Sequence, residues 1–527
     1  MNILDYFPME EPRQSQIIAL EWLAEQTAPY LFLEIPVGGG KSPIGITYSS
    51  FLSKPDGDSF ILTPQKILQD QYVNSFDAQI LTSLYGKNNY PCGNRKTSCD
   101  IGSLIKPACD VCPYRLALSK AISSTNVVLN YHLGLSLFAY TDVFKKRKRQ
   151  LMILDECHTV EDVLTEFNAI IISAYKTNKY GLSLPELTDL TIRFAFDWTQ
   201  DQYLPAANNY LSRLADRVEP LLYAGDEITR AEAKLVREYN VLQDHVDTVT
   251  EFLLTQKDEL EDKYVLVFDK TNIKFKPLYG GDNFHQILKP HANQFLFMSA
   301  TPDQAGLCKD LNLPAEQTAI LSLDSEFPKE NRRIHYIPQM KMTYTWNTPE
   351  RKTELQQMEQ AVKKIISLHQ TESGIIHTAN FKIANWLVDV LETYPETVHD
   401  IVHHNPNSDK NRKEVIDKFT TSKVPTILIS PSITEGLDLI GDLARFAIFA
   451  KVPFGSLMDQ WIKRRQQLSH DWYRRRAIID VMQGSGRIVR SKTDKGVTYI
   501  LDASWGYLYQ QMYDKIPKWW KDAYTEI

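Results

Sequence analysis

"YLFLEIPVGGGKS", residues Tyr30–Ser42, decides how the rest of this 527-residue chain is read. Its first six residues form a short apolar run that reads as a buried parallel strand. Gly38, Gly39 and Gly40 then let the backbone curl so that several N–H groups point at one anion. Lys41 supplies charge to β- and γ-phosphate oxygens, and Ser42 offers a hydroxyl to Mg²⁺. A helix starting here adds its positive N-terminal end. The plain alternative is a flexible glycine loop. The strict G-x4-GK[ST] pattern would also put glycine at Ile35. The strand before the loop, the GKS after it and an acidic strand end further on favour a phosphate site.

That strand end is "LMILDECH", Leu151–His158. Four apolar residues deliver two carboxylates: Asp155 suits Mg²⁺, and Glu156 suits orienting or deprotonating an attacking water. Paired with the glycine loop, this reads as ATP hydrolysis. "QGSGRIVR", Gln483–Arg490, places Arg487 and Arg490 one helical turn apart, where both can face one cleft. Arginines from a second domain can stabilise charge on a transferring γ-phosphoryl group. Without its Gln-x-x-Gly-Arg form, the segment would read as a solvated basic helix.

Further apolar runs repeat the pattern: "SFILT", "NVVLN" and "FLFMSAT", then "GIIHT", "TILIS", "RFAIFA" and "GVTYIL". Strands alternating with helices imply α/β units with parallel sheets, and two such sets imply two doubly wound domains. A single core rarely exceeds about 300 residues, which agrees. Two insertions interrupt the first set. One, residues 86–125, carries four of the six cysteines. The other, residues 165–290, is rich in helical periodicity and ends in a hairpin, "YVLVFDKTNIKFKPL". A formal net charge of −6 argues against indiscriminate nucleic-acid binding and leaves room for a local basic channel. No apolar run approaches the roughly 18–20 residues that span a bilayer, and the N-terminus carries no secretory signature.

The motifs stand in a recognisable order. Arg13 and Gln16 of "PRQSQ", "EIPVGGGKS", "TPQKILQDQ", "NYHLGLS", "LDECH", "MSATPD", "SGIIHTANF", "ITEGLDLIGD" with "KVPF", and "QGSGRIVR" run across nearly the whole chain. Together they resemble the superfamily 2 helicases, and within them the XPD/DinG family of iron–sulfur DNA helicases. The resemblance implies two RecA-like motor domains with an iron–sulfur insertion and an Arch-like insertion in the first. Motor domain 1 would comprise residues 1–85, 126–164 and 291–325, the cluster insertion 86–125, the Arch-like insertion 165–290, and motor domain 2 residues 326–527. It implies ATP and Mg²⁺ as cofactors. Arg13 and Gln16 would read adenine, Gly436 and Asp438 would join the nucleotide site, and Lys41, Asp155, Glu156, Gln483, Arg487 and Arg490 would carry the chemistry. Ile35 and Val37 depart from the family's small residue and threonine, "LDASW" lacks the family's following arginine, and the Arch-like insertion is short.

Cys92, Cys99, Cys109 and Cys112 are spaced C-x6-C-x9-C-x2-C. The family places a [4Fe–4S] cluster at this point of the chain. Four thiolates from one segment can hold such a cluster and cross-link a piece too small to fold alone. Zinc and free thiols are the alternatives, although only one C-x2-C knuckle is present. Cys157 and Cys308 read as packing residues. Lys87, Arg95, Lys96, Lys106 and Arg115 outnumber Asp100 and Asp110 in the segment, and Tyr85 suits base stacking while Tyr90 and Tyr114 suit packing against the cluster. "KKRKRQ" (Lys145–Gln150) reads as a solvated loop. "KRRQQLSHDWYRRR" (Lys463–Arg476) reads as a candidate DNA contact.

The expectation is an ATP-driven helicase that moves 5′-to-3′ on single-stranded DNA and opens forked duplex. It would be a monomer, cytoplasmic and nucleoid-associated (or in a host cytoplasm if virus-encoded), without membrane contact, and serve a repair, replication or defence complex. An RNA helicase and a non-unwinding ATP-dependent module are the rival readings.

Overall fold

The computed structural model describes residues 2–53, 57–93, 96–104, 109, 111–145, 148–186, 190–223, 228–301, 303–396, 398–403, 409–431, 439 and 441–527. Gly436 and Asp438, like Arg95, Lys106 and Asp110, lie outside these described residues.

The first sheet takes β1 (Tyr30–Glu34), β2 (Ser59–Thr63), β3 (Thr82–Ser83), β4 (Asn126–Asn130) and β5 (Arg149–Asp155). The chain then leaves to form a separate antiparallel sheet from β6 (Ile170–Ser173), β7 (Tyr264–Phe268) and β8 (Asn272–Pro277), and returns with β9 (Ala292–Ser299) and β10 (Thr318–Ser322). The seven strands run parallel in the order β10-β1-β9-β5-β2-β4-β3. A second all-parallel sheet orders β13-β14-β12-β15-β16-β11-β17, with β11 at Arg332–Met340, β12 at Gly374–His377, β13 at Asp400–His403, β14 at Thr426–Ser430, β15 at Phe446–Phe449, β16 at Gly496–Asp502 and β17 at Tyr524–Glu526. Two doubly wound, RecA-like units follow from the sequence pattern as expected.

Why these runs are continuous rather than alternating is visible in the packing. Leu31, Leu33, Ile61 and Ile153 meet Ile44 and Tyr48 on one face of the first sheet. Phe32, Phe60, Leu62 and Leu154 meet Leu135 and Phe138 on the other. A strand covered on both faces must be apolar at every position. Each buried residue of this kind contributes about 1.5–3 kcal/mol relative to exposure, so the sheets anchor the loops at their ends.

The helical insertion has its own core, built by the helices Ile192–Trp198, Leu204–Tyr223 and Arg230–Thr255 against β6–β8. The expected hairpin is present and gains β6 as a third strand. The two insertions touch: Ile101 packs with Val218, Ala233 and Val236, and the Arg237 guanidinium lies 2.9 Å from Asp100.

"KKRKRQ" is corrected in part. Lys146 and Arg147 lie outside the described residues, but Arg149 is fully buried at the start of β5. Its guanidinium donates to the Ser124 and Thr125 carbonyls, sits 4.4 Å from the centre of the Phe60 ring and pairs with Asp58. That one cation is a strut between strands, because its partners satisfy it and burial demands that they do.

Candidate nucleotide and nucleic-acid sites

The carboxyl ends of β1 and β5 open into a cleft whose opposite wall comes from the second sheet. It is lined by Gly38, Gly39, Gly40, Lys41, Ser42, Gln71, Asp155, Glu156 and His158 on one side and by Gln483, Arg487 and Arg490 on the other. Seven residues flagged by sequence in two distant segments therefore meet their counterparts across one space.

The loop geometry explains its glycines. Gly38 and Gly40 have φ of +79° and +75°. A Cβ on Gly40 would sit 2.4 Å from Gln16 Nε2, and one on Gly39 would sit 2.2 Å from Ile35 Cγ2. Ile35 and Val37, the two departures from the family pattern, are absorbed by packing: Ile35 is buried beneath the loop, and Val37 fills the space beside Gly486 of the second sheet's wall.

Arg13 and Gln16 stand against the back of the glycine loop. Gln16 is buried, its Nε2 donates to the Gly40 carbonyl at 3.0 Å, and its Oε1 accepts from the Arg13 N–H at 2.8 Å. Arg13 Nη1 donates to the Gly38 carbonyl at 2.7 Å. Both side chains brace the loop from behind, and neither lines the main cleft; Arg13 borders a smaller recess with Glu326 and Phe327.

The carboxylate pair is asymmetric. Lys41 Nζ lies 3.0 Å from Glu156 Oε1. Burial alone would raise the Glu156 carboxyl, but the charges of Lys41, His158 and Arg487 outweigh it and hold it down at about 2. Burial and the neighbouring Glu156 charge push Asp155 up to about 6. Tyr72 donates to Asp155 Oδ2 at 3.2 Å, its hydroxyl also bonds Ser42, and Tyr131 donates to the Asp155 carbonyl. Glu156 has φ 49°, a left-handed conformation that costs energy in a residue with a Cβ and turns its side chain toward Lys41. His158 Nδ1 lies 2.9 Å from Ser299 Oγ, Thr301 donates its N–H to that oxygen, and Gln483 Nε2 donates to Thr301 Oγ1 at 3.0 Å. A hydrogen-bonded path thus crosses from one sheet to the other. Tyr72, Ser299 and Thr301 were missed as members of the site; Thr301 stood in the quoted "MSATPD", and its hydroxyl was the available signal.

A triphosphate with Mg²⁺ fits this donor set. The glycine loop has room only for backbone, Ser42 and Asp155 offer oxygens to a hard cation, and Lys41, Arg487 and Arg490 supply positive charge.

The cysteines gather as two pairs: Cys92 Sγ lies 3.2 Å from Cys109 Sγ, and Cys99 Sγ 3.5 Å from Cys112 Sγ. A Cβ on Gly102 would strike Cys92 Sγ at 2.4 Å, so the segment closes tightly around its thiols. Burial pushes the Cys99 thiol up to about 11, while the backbone N–H groups of Arg115 and Tyr114 outweigh the burial of Cys112 and hold it below its usual value. Among the described residues, no three His, Cys, Asp or Glu side chains converge on a single metal-ion position. A four-iron cluster takes one thiolate per iron, and four thiols from one segment fit that chemistry. Tyr90 and Tyr114 pack edge-to-face at 5.6 Å beside these cysteines, and the Tyr85 hydroxyl is tied to Asp70.

The stretch Lys463–Arg476 divides. Arg465, Arg475 and Arg476 are turned toward carboxylates of the first sheet's unit, and Trp472 donates to Glu161. Lys463 and Arg464 are exposed, and Arg474 meets Asp471 and Tyr507.

Comparisons with known proteins agree with this architecture. Residues 362–523 match the helicase C-terminal domain family. The chain is 20% identical over 445 residues to the Haemophilus influenzae protein named ATP-dependent DNA helicase YoaA, covering 74% of this chain and 66% of the relative. It is 19% identical over 507 residues to the Yarrowia lipolytica ATP-dependent DNA helicase CHL1, covering 79% of this chain and 62% of that one. The chain thus spans a little under two thirds of the length of the curated relatives it matches. A solved XPD helicase structure superposes over 98% of this chain and 100% of its own with a TM-score of 0.62 at 13% identity, and Xpd4 of S. tokodaii with 0.57 at 15%. Residues 362–523 thus carry a helicase C-terminal domain, and the chain as a whole shares its fold with the solved XPD helicases.

Proposed function

We propose that the chain is an ATP-driven DNA helicase that moves on single-stranded DNA and opens duplex. The observation that carries this reading is the single cleft in which Lys41, Ser42, Asp155 and Glu156 face Gln483, Arg487 and Arg490 across the two sheets. Lys41 leaves Glu156 to meet the β- and γ-phosphates. Freed from that ion pair, Glu156 orients the attacking water, and the charges of His158 and Arg487 still favour its anion. Ser42 and Asp155 hold Mg²⁺, which neutralises charge on the phosphates when bound. Arg487 and Arg490 meet the charge that develops on the transferring group. Gln483 reports the state of the cleft to Thr301, and opening and closing of the cleft shifts the two motor domains along the strand.

Cys92, Cys99, Cys109 and Cys112 hold a [4Fe–4S] cluster in this reading. The cluster module and the helical insertion frame the strand-separating edge, supported by their mutual contact through Ile101 and Asp100. The DNA assignment follows the names of the relatives, and the 5′-to-3′ direction follows the family resemblance. No helix among the described residues is long and apolar enough to cross a membrane; a monomer working on cytoplasmic DNA with repair or replication partners completes the proposal.

The test is ATP turnover with single-stranded DNA and with RNA of matched length, followed by unwinding of forked duplexes carrying a 5′ or a 3′ tail. Stimulation by DNA and opening of the 5′-tailed fork are expected. Preferential stimulation by RNA would move the chain to the first rival reading, and stimulation without unwinding to the second. Anaerobically purified protein should absorb broadly near about 400 nm; a colourless protein with stoichiometric zinc overturns the cluster.

A further inference from the structure

The two sheets are joined at a second place, away from the cleft. Arg465, on the helix Gln460–Leu468, is 2% exposed. Its Nη2 lies 2.6 Å from Glu161 Oε1 and 2.9 Å from Asp310 Oδ1, and its Nη1 donates to the Leu278 carbonyl. Tyr279 and Trp472 cover the guanidinium at 4.4 and 4.6 Å from their ring centres. On the next helix, His470–Ser485, Arg476 forms a two-pronged pair with Asp162, both contacts 2.7 Å, and Arg475 Nη1 lies 2.5 Å from Asp303. Trp472 Nε1 donates to Glu161, and Trp461 Nε1 donates to the Pro277 carbonyl.

The placement of these residues along the chain matters more than their number. Glu161 and Asp162 begin the helix Val160–Phe167, directly after Glu156 and His158. Asp303 follows closely on Thr301. On the other side, Trp472, Arg475 and Arg476 start the helix that delivers Gln483 near its end. Glu161 and Asp162 thus follow directly on cleft residues of the first sheet, Arg475 and Arg476 share a helix with Gln483 of the second, and Arg465 and Asp310 sit on the helices next to these. Bidentate guanidinium–carboxylate pairs fix orientation as well as distance, and a buried pair tolerates no partial separation because each exposed charge would lose its partner.

We propose that this clasp is the joint that orients Gln483, Arg487 and Arg490 over the nucleotide, making Arg465, Arg475 and Arg476 positioning residues for turnover. The proposal rests on the reading of the cleft as an ATPase site. It accounts for why Arg465, Arg475 and Arg476 of this basic stretch face inward.

Charge reversal across the half-exposed Asp162–Arg476 pair tests it. Arg476→Asp and Asp162→Arg singly should keep a native circular-dichroism spectrum and bind a fluorescent ATP analogue within about twofold of the parent, while kcat falls roughly tenfold with KM little changed, the pattern of a lost transition-state contact. Fluorophores placed one on each sheet's unit should report a broadened distance distribution. The double reversal should recover both kcat and the narrow distribution. Single variants with parental kcat and an unbroadened distribution overturn the proposal, as does a loss that the double reversal fails to restore. Where a reversal does not fold, Arg475→Gln reads the same quantities with a milder change. A parent protein without ATP turnover would sink the ATPase reading, and the distance measurement would still decide whether the clasp holds the two units.

Discussion

β1 and β12 end in the same way and do opposite things. Each is an interior, buried strand of a seven-stranded parallel sheet, each runs into a loop, and each loop feeds a helix. After β1 the residue ahead of the helix Lys41–Ser53 is Gly40, which has no side chain to occupy the first N–H groups. After β12 it is Asn380, whose Oδ1 accepts the Ile383 N–H at 2.9 Å and closes the helix start. An uncapped helix start with glycine ahead of it welcomes an anion, and a capped one does not. The fold supplied two equivalent positions, and a handful of side chains made the chemistry one-sided.

The largest consequence is at Lys41. Lys41→Ala should leave the melting temperature nearly unchanged and reduce ATP turnover by about 10³-fold or more, since the phosphate charge loses the cation that stands on the glycine loop's own side of the cleft, beside Glu156 and Asp155. Retained turnover would mean that the two strand ends differ less than their geometry indicates. No substitution at Asn380 should have an effect of that kind.

Both strand ends also carry a titratable group whose charged form is disfavoured by burial. Burial pushes Glu34, the last residue of β1, up to about 7, against a lowering hydrogen bond from Ser322. Burial pulls His377, the last residue of β12, down to about 3, helped by the Arg487 charge, and its ring stacks on Phe449 at 4.5 Å. The signs are opposite. Glu34 favours folding fully below its ordinary value of 4.5 and loses that contribution as pH rises through about 7. His377 favours folding above its ordinary 6.5 and loses that contribution as pH falls toward about 3. Glu34→Gln should therefore gain in melting temperature relative to the parent as pH rises from 4.5 to 8. His377→Gln should gain relative to the parent as pH falls from 7.5 to 4. Parallel curves in either series would show that the group is not buried in the way described.

The strands that sequence located were those covered on both faces, because two-sided burial writes a continuous apolar run: β1, β2, β4, β5 and β9, then β12, β14, β15 and β16. Six others escaped. β10, β13 and β17 are half-exposed, β3 has two residues, β6 is short, and β11 mixes Arg332, Arg333 and His335 into its run. The cleft was readable for a related reason, since glycine, lysine and paired carboxylates at strand ends have few other uses. The clasp was not. Arg465 and Arg476 look the same in a sequence whether they face DNA or a carboxylate three hundred residues away, and only the fold brings Glu161 and Asp162 to them. Gln16 is a related case: an amide that can read a base can also satisfy two backbone groups, as it does here, and spacing does not separate the two uses.

The smallest effect belongs to the cap itself. Asn380→Ala removes the acceptor for the Ile383 N–H at the start of Phe381–Glu392 and should cost about 1 kcal/mol, or about 2–4 °C for a domain of this size. The nucleotide KM should not move, because Asn380 is not among the residues lining the cleft. Asn380→Gly is the sharper variant. It restores on β12 the residue type that stands ahead of the helix after β1, costs only a few tenths of a kcal/mol at a cap, and frees the same N–H groups. It should still bind no phosphate in titration calorimetry with the tripolyphosphate ion, because the second loop reads Thr378-Ala379 where the first reads Gly38-Gly39 and has Phe381, not a lysine, directly after its cap. An open helix start would then be necessary for the anion and insufficient without the glycine curl and the cation. Binding to Asn380→Gly with an affinity near that of the parent's own loop would show the cap alone to be the difference between the two sheets.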